Sequence, residues 1–250
     1  MYTFKQRAAV LSTLLAMLAL GGCATGGSKV PEEDSLESVN RAIYSFNSGV
    51  DKYFLKPLAQ GYRFVTPDPV ERGLSNMFSN LGYPSVIVNQ LLQGKPLSAL
   101  QDTGRFVVNS TIGLAGFVDV ADRFGWSANN EDFDQTLAVW GVPSGPYVVL
   151  PFLGPSTLRG ALSTFPDQAL NVRTYIQDSS IQDKLIVLEI IALRASILPL
   201  DAQIAASNDP YIFVREGYLQ NRNFNYYDGD PPAEDDFDLD DEDFDDLEDF

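Results

Sequence analysis

The chain has 250 residues with 17 Lys+Arg against 34 Asp+Glu, no His and one Cys, a length that accommodates one domain or at most two. Without His there is no Ser-His-Asp or Cys-His pair, no imidazole metal ligand and no His pH switch, and one Cys permits no intramolecular disulfide, CxxC pair or zinc ribbon. A net charge of −17 argues against a nucleic-acid partner, whose phosphates need basic patches.

The charge is unevenly spread. Residues 228–250 hold 14 acidic residues and no Lys or Arg, which leaves 20 acidic against 17 basic residues in 1–227. The acidity belongs to a tail, and the body is close to neutral. With 45% hydrophobic residues, that body can bury a core.

The first residues read as an address. Lys5 and Arg7 precede an uncharged apolar run over 8–20, too short to span a bilayer, which needs about 20 residues; this is the pattern of a secretory signal peptide, here 1–22. The sequence Leu20-Gly21-Gly22-Cys23 resembles the bacterial lipobox. That resemblance implies diacylglycerol on the Cys23 thiol, cleavage before Cys23 and acylation of the new amino terminus. One acyl chain anchors reversibly, at about 0.8 kcal/mol per buried CH₂, and two or more hold stably. Residue 24 is Ala, not the Asp associated with inner-membrane retention, so the outer membrane of a Gram-negative cell is expected. Residues 23–33 read as a lipidated tether.

From Leu36 the apolar residues fall at Leu36, Val39, Ile43, Phe46, Val50 and Phe54, the period of an amphipathic helix, which Lys56-Pro57 is expected to end. Asp68-Pro69-Val70-Glu71 predicts a helix start, with Asp68 as N-cap, Pro69 at the first position and a capping box to Glu71. That helix is expected to reach about Leu81. A second is expected from near Pro84 to Gly94, and a third over 97–111. Residues 181–198 are strongly apolar and closed by Pro199, and Asp209-Pro210 starts a last helix to about Asn225. Tyr147-Val148-Val149-Leu150 is the best strand candidate. The reading is a mostly α body over 34–227.

Two stretches do not suit an ordinary soluble bundle. Residues 135–158 are 24 residues without a charge, interrupted by Pro143, Pro146, Pro151, Pro155, Gly141, Gly145 and Gly154. Such a segment cannot form one spanning helix. It is either an apolar hairpin packed within the protein or the lining of a polar cavity near lipid, the places where irregular backbone survives at membrane depth. Residues 107–121 carry Gly113 and Gly116 among apolar neighbours, which suits close helix approach or a helix end and turn.

Reaction machinery is sparse. There is no G-x-S-x-G elbow, no G-x-G-x-x-G and no P-loop. Glu131, Asp132 and Asp134 could serve as paired carboxylates for glycoside cleavage or simply form a solvated helix start. The tail, with Phe237, Leu239, Phe244, Leu247 and Phe250 among its acids, lacks the Gly that an EF-hand loop needs and reads as disordered and self-repelling.

Several blocks resemble the MlaA (VacJ) family. These are Ser35-Leu36-Glu37-Ser38-Val39-Asn40-Arg41 with Tyr44, Phe46-Asn47 and Asp51; Lys56-Pro57-Leu58-Ala59; Leu74-Ser75-Asn76-Met77-Phe78 with Asn80-Leu81 and Pro84; and Asn89, Leu92-Gln93-Gly94 and Arg105-Phe106. Further along come Asn109-Ser110-Thr111-Ile112-Gly113 and Gly116-Phe117-Val118-Asp119-Val120-Ala121. The most specific are Gln135-Thr136-Leu137, Trp140-Gly141-Val142, Gly145-Pro146-Tyr147-Val148-Val149-Leu150-Pro151 and Gly154-Pro155-Ser156-Thr157-Leu158-Arg159. Asp209-Pro210-Tyr211, Val214-Arg215-Glu216 and Tyr218-Leu219-Gln220 close the match. The family block opens Asp-Pro-Leu where this chain has Asp34-Ser35-Leu36, and the acidic tail has no counterpart in it.

The resemblance implies a ring-like helical lipoprotein in the inner leaflet of the outer membrane, with an amphipathic channel for glycerophospholipids misplaced in the outer leaflet. It also implies docking on trimeric porins and delivery to a soluble periplasmic carrier, MlaC, so that outer-membrane lipid asymmetry is maintained. No enzyme activity, metal or cofactor is expected beyond the covalent lipid on Cys23. Under this reading an apolar belt faces lipid, small and amide side chains face inward, and the segment 135–158 belongs at the cavity. The lipid-path candidates are Asn109, Thr111, Gly113, Gly116, Gly141, Pro143 and Gly145. The alternatives are an envelope hydrolase acting on lipid or peptidoglycan and a purely structural porin-associated lipoprotein.

Overall fold

Most of the chain is helical in a computed structural model that describes residues 34–232; the signal segment, Cys23, the tether to residue 33 and the tail beyond 232 lie outside the described residues. In chain order the elements are α1 (Glu37–Val50), α2 (Lys56–Val65), α3 (Asp68–Leu92), α4 (Pro96–Thr111), α5 (Phe133–Val139), β1 (Tyr147–Leu150), β2 (Gly154–Thr157), α6 (Leu158–Leu170), α7 (Ser179–Ser196), α8 (Asp201–Ala206) and α9 (Pro210–Tyr226). The packed pairs close a circuit, from α1 and α2 to α7, then α3, α5, α9 and the β-hairpin, which returns to α1. That closed path is the ring-like arrangement. No described helix is long and apolar enough to cross a membrane.

Local chemistry explains most boundaries. Gly94 takes φ +77° after α3, where its N–H bonds Leu91 O and the Lys95 N–H bonds Gln90 O at 2.8 Å. This is the paired bond pattern that satisfies the last helical carbonyls. Asp209 caps α9 through the N–H groups of Tyr211 and Ile212. The strand expected at 147–150 forms and pairs antiparallel with β2, Tyr147 opposite Thr157 and Leu150 opposite Gly154, so the uncharged segment is a short helix followed by a hairpin.

Two expected breaks do not occur. The first helix was expected to end at Lys56-Pro57, but a π-helical turn, Asp51–Leu55, carries α1 into α2. The Lys56 N–H reaches back five residues to Asp51 O, and this wider turn accommodates a proline ring that would clash in an ordinary helix. Likewise α3 runs through Pro84 from residue 68 to 92. The proline removes one bond to the carbonyl four residues earlier, and packing of α3 against α4, α5, α6 and α7 outweighs that loss. The capping box expected at 68–71 is absent: Pro67 occupies the N-cap and no side chain caps the helix. Asp68 and Glu71 still place negative charge in its first turn.

The interior is polar. Asn40, Asn80, Asn89, Gln90, Asp102, Arg105, Asn109, Asp134, Gln135, Thr136 and Arg159 are all buried, each with at least one hydrogen-bond partner, while Asn80 Oδ1, Gln90 Oε1 and Asp102 Oδ1 are left without one among the described residues. Two asparagines one heptad apart on α1 clasp the free edge of β1. Asn40 donates to Tyr147 O (3.0 Å) and accepts from Val149 N (2.8 Å); Asn47 donates to Leu150 O (2.9 Å) and accepts from Phe152 N (2.8 Å). Seven helical residues rise about 10.5 Å and three strand residues about 10 Å, so the spacings agree. A small apolar cluster of Tyr147, Val149, Tyr211 and Leu219 packs beside this clasp.

Asp134 is the densest node. It accepts from Arg159 Nε (2.6 Å), Arg222 Nη2 (2.5 Å) and the Tyr226 hydroxyl (2.5 Å), and so joins α5, α6 and α9. Arg222 also grips Asp132 at 2.7 and 3.0 Å. Asp132 caps α5 in a capping box with Gln135. Glu131, with Oε1 on Lys95 Nζ at 2.8 Å and Oε2 on Gln135 Nε2 at 2.8 Å, completes the cluster. The expected helix start is present, but it is not solvated: Glu131 is 7% and Asp134 3% exposed. The acidic segment begins attached to this region, since Asp228 pairs with Lys95 at 2.5 Å.

Burial alone raises the Asp134 carboxyl, and Arg222, Tyr226 and Arg159 more than reverse it, holding the group below its ordinary 3.8. Asp119 and Asp201 are lowered in the same way, burial being overcome by facing N–H donors and cations. Burial and the Asp134 charge, opposed by Arg222, push the Tyr226 hydroxyl up to about 12.

Removing one partner of such a buried ion pair costs about 3–5 kcal/mol. Arg222→Gln is therefore expected to lower the denaturant midpoint of the detergent-solubilised protein strongly, and an unchanged midpoint would remove Asp134 from its central place. The three lowered carboxyls contribute stability that is present above their unfolded value near 3.8 and lost as pH falls through their lower native values. Thermal midpoints should fall steeply below about pH 4, and Asp134→Asn should flatten that fall.

Candidate functional site

The faces of α1, α4, α6 and α7 are inverted relative to a water-soluble bundle, whereas α9 buries Tyr211, Leu219 and Tyr226 in the ordinary way. On α4 the buried positions are Ala99, Asp102, Arg105 and Asn109, spaced three or four apart. The opposite face carries Leu97, Leu100 and Val107, continued by Ile112 and Leu114 in the following turn, all exposed. Leu158, Leu162 and Phe165 on α6, and Val187, Ile190 and Leu193 on α7, repeat the pattern outward. On α1 the expected apolar face is itself largely outside: Val39, Phe46 and Phe54 are exposed while Asn40 is buried. Phe64 is 90% and Leu97 82% exposed. Scattered exposed apolar residues are ordinary, whereas contiguous ones with polar residues buried beneath mark a surface made for an apolar medium or partner.

At the meeting of α2, α3 and α7 lies a cavity of about 570 Å³, the scale of a small-ligand pocket. Arg63 reaches it from the last turn of α2. Asp68, Arg72, Ser75 and Ser79, four, three and four residues apart, present one face of α3, joined by Glu71 and Phe78. Glu189, Ala192, Leu193 and Ser196 supply the α7 wall. The lining is amphipathic, with charges and hydroxyls beside Phe78, Ala192 and Leu193. Glu189 is paired with Arg173. A smaller cavity of about 200 Å³ lies beside the Asp134 node, between Asp132, Ser163, Asp167 and Arg222. There burial raises the Asp167 carboxyl, although it accepts from Ser85, Phe133 N and Asn89.

The lipid-path candidates fall in two places, and none lines the larger cavity. Asn109 holds the loop after α4: its amide donates to Asp119 at 2.9 Å and its oxygen accepts from Val120 N and Ala121 N. Gly113 has no room for a Cβ, which would lie 2.3 Å from Val118 O. Gly116, at φ +92°, would place a Cβ 2.3 Å from that of Asn80, so close backbone approach to α3 requires glycine there. Thr111 is exposed and its hydroxyl bonds Val107 O at 2.7 Å. Gly141 (φ +81°), Pro143 and Gly145 (φ +67°) lie between α5 and β1; Gly141 and Pro143 are exposed. The Arg and carboxylate lining of the larger cavity escaped sequence reading because its parts, near residues 63, 72 and 189, converge only in the fold. Arg63, between Tyr62 and Phe64, was the available signal, whereas Arg72 follows Glu71 and reads as an ordinary charged helix face.

The carboxylates considered for hydrolysis are committed elsewhere. Both Asp134 oxygens are occupied by Arg159, Arg222 and Tyr226, and its lowered pKa is the reverse of what a general acid needs. No group of His, Cys, Asp and Glu suited to a metal ion occurs among the described residues.

A family model described as MlaA lipoprotein matches residues 32–225. Two proteins named intermembrane phospholipid transport system lipoprotein MlaA, from Shigella flexneri and Escherichia coli (strain K12), are each 39% identical over 220 residues, covering 84% of this chain and 87% of the relative. The protein of that name from Haemophilus influenzae is 35% identical over 228 residues, 88% of this chain and 91% of the relative. A solved chain from work described as "Structural basis for maintenance of bacterial outer membrane lipid asymmetry" superposes with a TM-score of 0.70 at 36% identity, covering 78% of this chain and all of that one. With a matching family model over most of its length and a shared helical fold, the chain belongs to the MlaA lipoprotein family.

Proposed function

We propose that this chain is an outer-membrane lipoprotein that lets misplaced phospholipids leave the outer leaflet and passes them to a soluble periplasmic carrier, so maintaining lipid asymmetry, without chemistry of its own. The observation that carries this reading is the inversion of its helices, with apolar stripes outside and a hydrogen-bonded polar interior within. A phospholipid needs a polar path for its headgroup beside an apolar medium for its tails. A body seated in one leaflet, polar inside and apolar outside, provides both. Diacylglycerol and an N-acyl chain on Cys23 anchor it from the periplasmic side. The parts of the outward surface that do not meet lipid meet trimeric porins, and the carrier of the MlaC type receives the lipid. The names of the relatives support the transport role, and the sequence blocks shared with the family support the partners.

Deleting the gene should raise phospholipid in the outer leaflet, measured by surface labelling of lipid headgroups, and unchanged surface lipid would refute the proposal. The apolar belt is tested separately. Each apolar side chain the size of Leu or Val contributes about 1.5–3 kcal/mol when fully buried, roughly tenfold in partitioning or more. Leu100→Lys with Val107→Lys, in a Cys23→Ser background that removes the anchor, should cut sedimentation with phospholipid vesicles by at least that factor. Equal sedimentation would mean that the belt does not meet lipid. A purely structural porin-associated role predicts that Gly141→Ala with Gly145→Ala, at normal protein level and porin binding, leaves asymmetry intact; the transport reading predicts its loss.

A further inference from the structure

Arg63 and Arg72 differ from most guanidinium groups of the described body. Arg41, Arg105, Arg159, Arg173, Arg194 and Arg222 each form an ion pair. Arg63 and Arg72 form none among the described residues, although both line the cavity between α2, α3 and α7 together with Asp68 and Glu71. Asp68 and Arg72 lie four residues apart on α3, the spacing at which opposite charges usually meet on a helix, and they do not pair. Glu189, the remaining charged group of the lining, is taken by Arg173. The cavity therefore presents two guanidinium groups and two carboxylates, none bound to another. Phe78, Ala192 and Leu193 form an apolar flank.

We propose that this cavity is a binding site for a zwitterionic phosphodiester headgroup, with Arg63 and Arg72 on the phosphate and Asp68 and Glu71 on the ammonium. The inference rests on the transport reading and adds a headgroup preference to it. Guanidinium donors match phosphate oxygens in a fork geometry, and a primary ammonium supplies three donors to carboxylates. A headgroup carrying both charges satisfies all four side chains. A net-anionic headgroup would satisfy the arginines and leave its surplus negative charge facing Asp68 and Glu71, which sets the site against it. The apolar flank leaves the acyl chains a path out of the cavity along Leu193 toward the outward stripe of α7.

The test uses the full-length lipoprotein, purified in detergent, incubated with mixed micelles of equal phosphatidylethanolamine and phosphatidylglycerol, and read by native mass spectrometry. The wild type should retain phosphatidylethanolamine in about tenfold excess. Arg63→Gln with Arg72→Gln should lose about tenfold or more of the retained lipid, whereas Arg63→Lys with Arg72→Lys should keep a substantial part of it. Asp68→Asn with Glu71→Gln should retain lipid with the preference abolished or turned toward phosphatidylglycerol. All variants are compared at matched thermal midpoints, and a variant that fails to reach the wild-type midpoint is replaced by the single substitution at the same position. Retention of both lipids without preference by the wild type, or a preference untouched by the carboxylate substitutions, overturns the headgroup site and leaves the transport reading standing. No retained lipid of either class, with surface lipid unchanged on gene deletion, overturns the transport reading itself. Displacement of the lipid by millimolar inorganic phosphate alone would make this a simple anion site and also overturn the proposal.

Discussion

A protein surface turned toward hydrocarbon loses the force that organises soluble folds. Lipid tails are as apolar as Leu, so clustering such side chains gains nothing that the surroundings do not already offer. What remains is directional bonding between polar groups whose alternative is to stand unsatisfied away from water, and such groups weigh heavily in a low-dielectric interior. The body described above is built in the way such a constraint demands, in keeping with the proposed seat of its apolar faces against lipid. Asp134, on α5, gathers two arginines and a tyrosine from α6 and α9. Asn40 and Asn47 fix the hairpin to α1 through four backbone contacts. Arg194 ties the π-helical turn to α8 through Asp51 and Asp201.

The same logic gives two of the small residues a packing role. Gly113 and Gly116 were expected on the inward side, where small and amide side chains would line a path away from the apolar belt. In the structure they let the loop after α4 press onto itself and onto α3, where Arg105 joins Tyr83, Asp119 and Trp126 in one network. Room for a ligand opens elsewhere, in a cavity whose walls are charged.

Short-range features were legible in the sequence. Asp209-Pro210, Gly94 and the alternation-poor run at 147–150 act through a few neighbouring backbone groups, and all three structures appear where expected. Pro57 and Pro84 were misread because a proline's effect depends on what surrounds it: a widened turn in one case and a long buried helix packed on several sides in the other. The period of α1 showed which residues share a face, and could not show which face lies inside. That sign is not written in the period: Asn40 is buried by its bonds to β1 while Phe46 is exposed. Arg63, Arg72 and Glu189 meet only through tertiary packing, so no local pattern marks them as one lining.

The outward Phe64 and Leu97 carry a consequence for the life of the chain before it reaches its membrane. A body that wears its greasy side chains on the exterior has nowhere to hide them during passage through an aqueous compartment, where contiguous apolar surface invites aggregation. Its interior, where buried polar side chains outnumber a small apolar cluster, offers them little shelter. On the proposed membrane role, passage through water calls for something that covers this apolar surface, and lipid takes over that task once the body is seated.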